Sequence, residues 1–271
     1  MAHRVVVFDS GMGGLTVAQA LREAMPDADL IYAADSAAFP YGDWDEPQLI
    51  ERILHVAGRV IEDVRPDAVV VACNTASTLA LAALRKQFQL PFVGTVPAIK
   101  PAAEITKTKM IGVLATPGTV KREYTQSLIH TFAFHCRVMI HGAPRLAEMA
   151  EAKLKGKPPS LKALAEEIAP VFRKRGGVRT DTVVLGCTHY PLLLEELEAA
   201  APWPVTFIDP SQAIAARTVQ VLKDEKSSHS GNARISANTA LFSSRRGTGA
   251  AELKSYASFG FGAHQIVDLP I

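Results

Sequence analysis

The sequence contains few cysteines, and none of them lies close to another along the chain. There are 3 in 271 residues, at Cys73, Cys136 and Cys187. A low, odd count in a chain of this length provides no disulfide framework. It is typical of a reducing compartment, where cysteines are more often catalytic or inert.

A strong excess of charge is also lacking. The formal net charge is +2 and the sequence pI is about 8.4. Basic residues are scattered, and we interpret the denser clusters at Lys153 to Lys162 and Arg173 to Arg175 as solvated surface. No nucleic-acid partner is therefore predicted.

No apolar run is long enough to suggest a membrane span. The N-terminal run ends at Asp9, which is too early for a signal peptide. The longest uncharged stretch, Ala68 to Leu84, has polar residues in its middle, so we interpret it as a strand and a helix that share a buried turn. We expect a cytoplasmic protein with no membrane partner.

What the chain does have is an alternation of apolar runs and amphipathic segments. Hydrophobic residues make up 48% of the chain and charged residues 21%, as in soluble globular proteins. The predicted strands form two series, Val5–Phe8, Leu30–Ala34 and Val69–Ala72, then Met110–Ala115, Phe134–Ile140 and Val183–Gly186. This order predicts an α/β fold of two related three-layer domains with mainly parallel sheets. We place the first domain at 1–97 plus 208–271 and the second at 98–207.

Several connecting segments carry predictions of their own. Helices are expected from Ser160 to Arg175, ended by Gly176-Gly177, and from about Pro191 onward. The polar segment Asp224 to Asn232 is predicted to be a mobile loop. Strands near Thr239–Ser243 and Ile266–Leu269 are expected to return to the first domain, without visible chemistry.

A glycine-rich turn follows the first strand, Asp9-Ser10-Gly11-Met12-Gly13-Gly14. It is not the dinucleotide fingerprint, because Thr16 stands where the last glycine is required. The glycines alone fit a tight turn as well as a ligand loop. Asp9 and Ser10 at the strand end favour a loop that binds an anionic ligand at a helix N-terminus.

The loop from Asp35 to Pro47 is rich in aromatic residues, with Phe39, Tyr41 and Trp44. Such a loop is a candidate lid or pocket wall. The alternative, slightly favoured on this stretch alone, is that the three rings pack on the core.

Cys73 and Cys187 each follow a predicted buried strand and precede polar residues and a helix start. Helix N-termini favour the thiolate form of cysteine. Cys136 has no polar neighbours in its strand, and we interpret it as a small buried hydrophobe.

Four chemistries could use these two thiols. A zinc site with Cys73, Cys187 and His189 lacks an evident fourth ligand, and a redox disulfide generally uses a C-x-x-C motif. A cysteine hydrolase built on Cys187 and His189 leaves Cys73 unexplained. Two thiols facing each other across a carbon acid explain both cysteines, because one removes a proton and the other returns one to the opposite face.

Four motifs together resemble the glutamate racemase family of the aspartate/glutamate racemase superfamily. They are Phe8 to Val17, Pro40-Tyr41-Gly42, Ala72-Cys73-Asn74-Thr75-Ala76 and Gly186-Cys187-Thr188-His189-Tyr190-Pro191. The resemblance spans Val5 to the Asp209 region and is weak in the last forty or so residues.

The resemblance implies two α/β domains with the active site in the cleft between them, one cysteine from each. It implies a homodimer without cofactor or metal that interconverts L- and D-glutamate, which supplies D-glutamate for peptidoglycan and so for cell-wall biogenesis and cell shape. Cys73 would act on D-glutamate with help from Asp9, and Cys187 on L-glutamate with help from His189. By the same resemblance, Glu151 would be a further helper near Cys187. The residues implied to bind substrate are Asp9, Ser10, Tyr41, Gly42, Asn74, Thr75, Thr188 and His189.

Three features depart from the family, and one of them is the polar loop before the C-terminal strands, which has no clear match. The loop after Gly42 is acidic, Asp43-Trp44-Asp45-Glu46, and Ala143-Pro144 stands where Cys-Pro is common.

Three rival functions remain open. In aspartate racemases a Glu commonly replaces His189, so His189 favours glutamate as the substrate. A cysteine-dependent hydrolase or decarboxylase would break a bond other than the α-C–H bond. A binding protein without activity would not need either thiol.

Overall fold

A computed structural model describes residues 2–223, 234–267 and 269. Its contacts divide the chain into unit 1, Met1–Thr95 with Ser211–Ile271, and unit 2, Val96–Pro210. Each unit contains a mainly parallel sheet with helices beside its strands, which confirms the predicted fold class. The predicted loop at Asp224 to Asn232 lies outside the described residues, and so does Asp268 in the last predicted strand.

The first part of unit 1 alternates strands and helices. Its strands are β1 (Arg4–Asp9), β2 (Asp29–Ala34), β3 (Ala68–Val71) and β4 (Phe92–Gly94). Its helices are α1 (Leu15–Ala24), α2 (Glu46–Val64) and α3 (Asn74–Gln87), with short 3₁₀ turns at Ser36–Ala38 and Tyr41–Asp43.

Unit 2 continues the alternation. Its helices are α4 (Ile99–Ile105), α5 (Pro117–Lys121), α6 (Glu123–Phe132), α7 (Leu146–Leu154), α8 (Leu161–Ile168) and α9 (Leu194–Ala200). Its strands are β5 (Met110–Ala115), β6 (Arg137–Gly142), β7 (Lys174–Arg175), β8 (Val178–Arg179), β9 (Thr182–Gly186) and β10 (Thr206–Ile208). Two 3₁₀ turns occur at Ala169–Val171 and Tyr190–Leu193.

The chain then returns to unit 1 as α10 (Ser211–Leu222), β11 (Thr239–Phe242), α11 (Ala250–Ser258) and β12 (Ala263–Ile266). The sheet of unit 1 has the order β12-β11-β2-β1-β3-β4, and that of unit 2 has the order β10-β9-β5-β6. All neighbours in these two sheets pair in parallel. The C-terminal segment thus adds two strands to the sheet of unit 1, and its last strand ends at Ile266, where the predicted strand begins.

Apolar spacing explains how α2 packs on the sheet of unit 1. Leu49, Ile53, Val56 and Val60 recur at three- and four-residue intervals and are buried against strand residues such as Val71. The acidic residues before this helix have a structural role: Asp45 is its N-cap and Glu46 lies in its first turn. Carboxylates are favourable at that end of a helix.

Two predicted helices differ from the structure. The helix predicted from Ser160 to Arg175 ends at Ile168, because Pro170 has no N–H to continue the hydrogen bonding. Gly176 and Gly177 have positive φ angles of 60° and 80° and turn the β7–β8 hairpin rather than ending a helix. The helix predicted from Pro191 begins with a 3₁₀ turn, and α9 starts only at Leu194.

Within the described part of the chain, no helix combines the length and the apolar character that a membrane span requires.

Candidate active-site residues in the two units

The glycine-rich turn of unit 1 is fixed around a buried carboxylate. Asp9 ends β1 with 0% exposure, and its Oδ1 accepts a hydrogen bond from the Gly11 N–H at 2.8 Å. The Tyr32 hydroxyl donates to the Gly11 carbonyl at 2.8 Å. A Cβ on Gly14 would lie 2.9 Å from the Tyr32 hydroxyl, so this position requires glycine. The turn thus holds Asp9 and Ser10 at the carboxyl edge of the sheet.

Cys73 lies at the same edge, directly after β3. It is the N-cap residue of α3, a helix of 14 residues, and its side chain is buried. The Ser10 hydroxyl lies 3.9 Å from the Cys73 sulfur. The structure therefore brings Ser10 and Cys73 together at a helix N-terminus, where the helix dipole stabilises an anion.

Asn74 and Thr75 form the first turn of α3 and are both buried. Neither Nδ2 nor Oδ1 of Asn74 has a hydrogen-bond partner among the described residues. Buried amides in proteins are nearly always hydrogen-bonded. An unsatisfied amide beside a thiol indicates a group that a bound ligand would satisfy.

Tyr41 is placed differently from the other predicted binding residues. Its ring is part of the core of unit 1, and its hydroxyl donates to Asp35 Oδ2 at 2.7 Å. Burial, followed by the negative charge of Asp35, raises the pKa of Tyr41 well above its ordinary value, so the hydroxyl stays a donor. Tyr41 and half-buried Gly42 can reach a ligand only through their main chain. Trp44 also packs against the core, as the alternative interpretation of this loop predicted.

In unit 2, β9 ends at Gly186 and Cys187 follows it. A Cβ on Gly186 would lie 2.9 Å from the Leu114 carbonyl oxygen, so only glycine allows β9 to approach β5 this closely. Tyr190 holds the turn from the other side, because its hydroxyl donates to the Ala143 carbonyl at 3.1 Å. Burial, then the neighbouring Cys187 and Glu167, raises the pKa of Tyr190 well above its ordinary value.

A row of side chains leads away from the second thiol. Cys187 Sγ lies 3.9 Å from Nδ1 of His189, and Nε2 of His189 lies 3.3 Å from Oε1 of Glu151. The other oxygen of Glu151 lies 3.6 Å from the Lys155 ammonium. Glu151 is on α7, so the fold of unit 2 brings it to His189 from a distant part of the sequence. The arrangement of thiol, imidazole and carboxylate can move a proton.

Thr188 is buried between Cys187 and His189. Cys136, just before β6, is half-buried, and burial raises the pKa of its thiol. The prediction of a buried Cys136 inside a strand was therefore wrong, since the residue is half-buried and precedes β6. Within residues 2–223, 234–267 and 269, no group of three or more His, Cys, Asp or Glu side chains is placed to bind a metal ion.

Sequence reasoning missed the side chains that support these positions. In unit 1, Asp35 contacts Tyr41, and Arg52 and Ser243 contact Asp35. In unit 2, Lys155 contacts Glu151. The one available signal was Asp35, which directly follows a predicted strand as Asp9 does.

Comparison with known proteins gives a consistent set of matches. A family model described as Asp/Glu/hydantoin racemase matches residues 15–218. The glutamate racemase of Brucella anthropi is 52% identical over 223 residues, which cover 82% of this chain and 80% of that protein. The glutamate racemase of Brucella ovis is 49% identical over 246 residues, which cover 89% of this chain and 87% of that protein.

Solved structures agree with the sequence matches. The crystal structure of Escherichia coli glutamate racemase in complex with L-glutamate and the activator UDP-MurNAc-Ala matches with a TM-score of 0.90 and 42% identity, covering 98% of both chains. Glutamate racemase isoform RacE1 from Bacillus anthracis matches with a TM-score of 0.77 and 27% identity, covering 100% of this chain and 98% of that one.

Proposed function

Because this chain belongs to the Asp/Glu/hydantoin racemase family, we propose that it interconverts L-glutamate and D-glutamate with Cys73 and Cys187 as two opposed bases. One observation carries the proposal. Each unit presents a buried thiol directly after a central parallel strand, β3 or β9, next to groups that stabilise an anion or move a proton. The carboxyl ends of strands are where α/β sheets bind their ligands.

The proposed reaction needs no cofactor and balances in protons. The Cys187 thiolate removes the α-proton of L-glutamate, the electron pair stays on the α-carbon, and the Cys73 thiol gives its proton to the opposite face. Conversion of D-glutamate to L-glutamate follows the same steps in reverse and starts from the Cys73 thiolate. Asp9 assists Cys73, and His189 assists Cys187 with Glu151 behind it. The pocket must stabilise the carbanion and exclude water, because the carbon acid is far weaker than a thiol.

Binding of glutamate is assigned to donors that carry no fixed positive charge. Hydroxyls, amides and helix N-termini bind carboxylates. The proposed ligands are Ser10, Asn74, Thr75, Thr188 and the main chain of Tyr41 and Gly42. The unsatisfied amide of Asn74 supports this assignment, because a carboxylate and an ammonium would complete its hydrogen bonds.

Glutamate is preferred over aspartate for two reasons. His189 stands where aspartate racemases commonly carry Glu, and the relatives reported above bear the name glutamate racemase. The structure from Escherichia coli contains L-glutamate. Supply of D-glutamate to peptidoglycan, a cytoplasmic location and a homodimer are parts of the same proposal.

The decisive experiment is α-proton exchange in D₂O with each enantiomer of glutamate. A two-base racemase introduces solvent deuterium at the α-carbon of the product, while the remaining substrate stays unlabelled early in the reaction. No other bond breaks, which separates racemisation from hydrolysis and decarboxylation. Absence of labelled product from both enantiomers would reject the proposal, and faster turnover of aspartate would reject the choice of substrate.

A further inference from the structure

The carboxylate of Asp35 is the centre of a buried network in unit 1. Its Oδ2 accepts hydrogen bonds from the Tyr41 hydroxyl at 2.7 Å and from Arg52 Nε at 3.0 Å. Its Oδ1 accepts from Arg52 Nη2 at 2.7 Å and from the Ser243 hydroxyl at 2.6 Å. Asp35 has 0% exposure and Arg52 has 7%.

These four hydrogen bonds occupy all the acceptor sites of the Asp35 carboxylate. An ionised carboxylate offers about four lone-pair sites. Asp35 therefore has no site left for a substrate or for a proton in transfer, although it directly follows β2 and Asp9 is the last residue of β1. Burial opposes the charge of Arg52, but the hydrogen bond to Asp35 and the negative charge of Asp35 raise the pKa of Arg52 above its ordinary value, so the guanidinium stays protonated. Asp35 holds other groups in place instead of reacting.

The network joins segments that are far apart in the sequence. Arg52 Nη2 also donates to the Leu269 carbonyl at 2.9 Å, and the Ser243 hydroxyl accepts from the Ala37 N–H at 3.0 Å. The Asp35 N–H donates to the Asp9 carbonyl at 2.9 Å. The loop that carries Tyr41 and Gly42 is thus attached to α2, to the end of β11 and to the strand that carries Asp9.

We propose that Asp35, Arg52 and Ser243 are positioning residues that fix the main chain of Tyr41 and Gly42 for binding of the substrate carboxylate. The inference rests on the proposed function, since it assumes that these two residues bind glutamate. It gives the C-terminal segment a role in the site: Ser243 and the Leu269 carbonyl hold the network from a part of the chain that contributes no reacting group.

The Tyr41 hydroxyl links the Asp35 network to the main chain of Tyr41 and Gly42. Among the described residues, it is the one contact in the network made by a residue of the proposed binding pair, and it fixes the ring of Tyr41, whose backbone lies beside Gly42. Loss of a network member lets this backbone move, which weakens binding of substrate more than it slows proton transfer at the two thiols. Small displacements of binding groups cost much affinity.

The test separates KM from kcat in three variants of the full chain. Ser243→Ala removes the hydrogen bond to Asp35 and the one from the Ala37 N–H, and leaves the Asp35–Arg52 ion pair intact. Arg52→Lys loses the two-pronged geometry but keeps the charge, and Tyr41→Phe removes only the hydroxyl. We expect each variant to raise KM for glutamate roughly 10-fold with kcat within about 3-fold of wild type. Because the variants act on one network, the double variant Ser243→Ala/Tyr41→Phe should raise KM by less than the product of the single effects.

Matched controls lie on the same elements but outside the network. Arg59→Lys alters another arginine of α2, which pairs with Asp63. Ser236→Ala alters a serine before the opposite end of β11, which contacts the Thr239 hydroxyl. Both controls should keep the KM of wild type.

The outcomes distinguish the two proposals. Unchanged KM in Ser243→Ala and Tyr41→Phe, with only a lower melting temperature, would show that the network is merely structural and would overturn this inference alone. If Arg52→Lys does not fold, these two variants decide the question. A wild-type protein that does not racemise glutamate would overturn both the proposed function and the inference.

Discussion

The two thiols lie in different environments, although each follows a central parallel strand of its unit. Cys73 caps a helix of 14 residues directly. Cys187 is followed by a turn and a 3₁₀ segment of 4 residues, and α9 starts only at Leu194. It has instead the His189 imidazole at 3.9 Å, backed by Glu151.

Under the two-base proposal, this difference corresponds to two ways of activating a thiol as a base. A helix dipole is a fixed field that does not depend on the protonation of any side chain. An imidazole can take up and release the proton itself, so its help depends on its own charge state. A racemase has the same catalytic efficiency toward both enantiomers. In this proposal, one unit activates its thiol with a helix N-terminus and the other with an imidazole.

The comparison is first tested by removing each thiol. Under the two-base proposal, Cys73→Ala and Cys187→Ala should each lower racemisation about 10³-fold or more, because neither environment can replace the missing acid or base. The half-buried Cys136→Ala is the control and should keep wild-type activity. Measurement of racemisation by circular dichroism decides the matter, and retained activity in both active-site variants would refute the two-base mechanism.

Removal of the helpers should reveal which thiol each one serves. His189→Asn and Asp9→Asn are expected to lower kcat/KM about 10- to 100-fold, less than loss of a thiol. The fall must be equal in both directions, because the two enantiomers have the same free energy. Exposed His135→Asn serves as the control.

Isotope effects then separate the two helpers. In His189→Asn, proton transfer at Cys187 becomes more rate-limiting, so the effect of α-deuteration on kcat/KM should rise for L-glutamate and fall for D-glutamate. Asp9→Asn should show the opposite pattern. Identical patterns in the two variants would mean that the helpers do not divide between the thiols as proposed.

Glu151 should matter only through His189. Glu151→Gln keeps the shape of the side chain and removes the charge beside the imidazole, and we expect kcat/KM to fall about 10-fold. In the His189→Asn background the same change should have almost no effect, because the two residues act as one unit. Full additivity of the two losses in a double-variant cycle would place Glu151 outside the proton path.

The smallest expected effect concerns the turn after Cys73. Asn74→Ala should raise KM for glutamate about 5-fold while thermal stability stays the same, because the amide has no partner among the described residues to lose. Ser77→Ala is the matched comparison, since its hydroxyl donates to the Val71 carbonyl and accepts from the Thr95 N–H. That variant should lose about 1–2 kcal/mol of unfolding free energy. A stability loss in Asn74→Ala equal to that of Ser77→Ala would mean that its amide is already satisfied.

Much of the fold followed from local patterns. The buried strands β1, β3 and β9 were predicted from their apolar runs. The turns after them were predicted to carry reactive groups from their polar and thiol side chains. The helix predicted to Arg175 was wrong because the apolar spacing was given more weight than Pro170. The two glycines expected to end this helix form the turn of a hairpin instead. The prediction for Tyr41 was also incomplete. A motif identifies the residue but does not show whether its hydroxyl or its main chain is available to bind a ligand, and here the hydroxyl is bonded to Asp35.

The sequence by itself determined the parallel α/β order, the two thiols at strand ends and the residue types around them, because periodicity and strand-end chemistry are local. Only the tertiary structure decided which side chains meet. Ser243 contacts Asp35 across 208 positions, and Glu151 reaches His189 across 38. Such contacts depend on how the elements pack. A buried polar group cannot hydrogen-bond to water, so its partners are the protein groups that the fold places beside it.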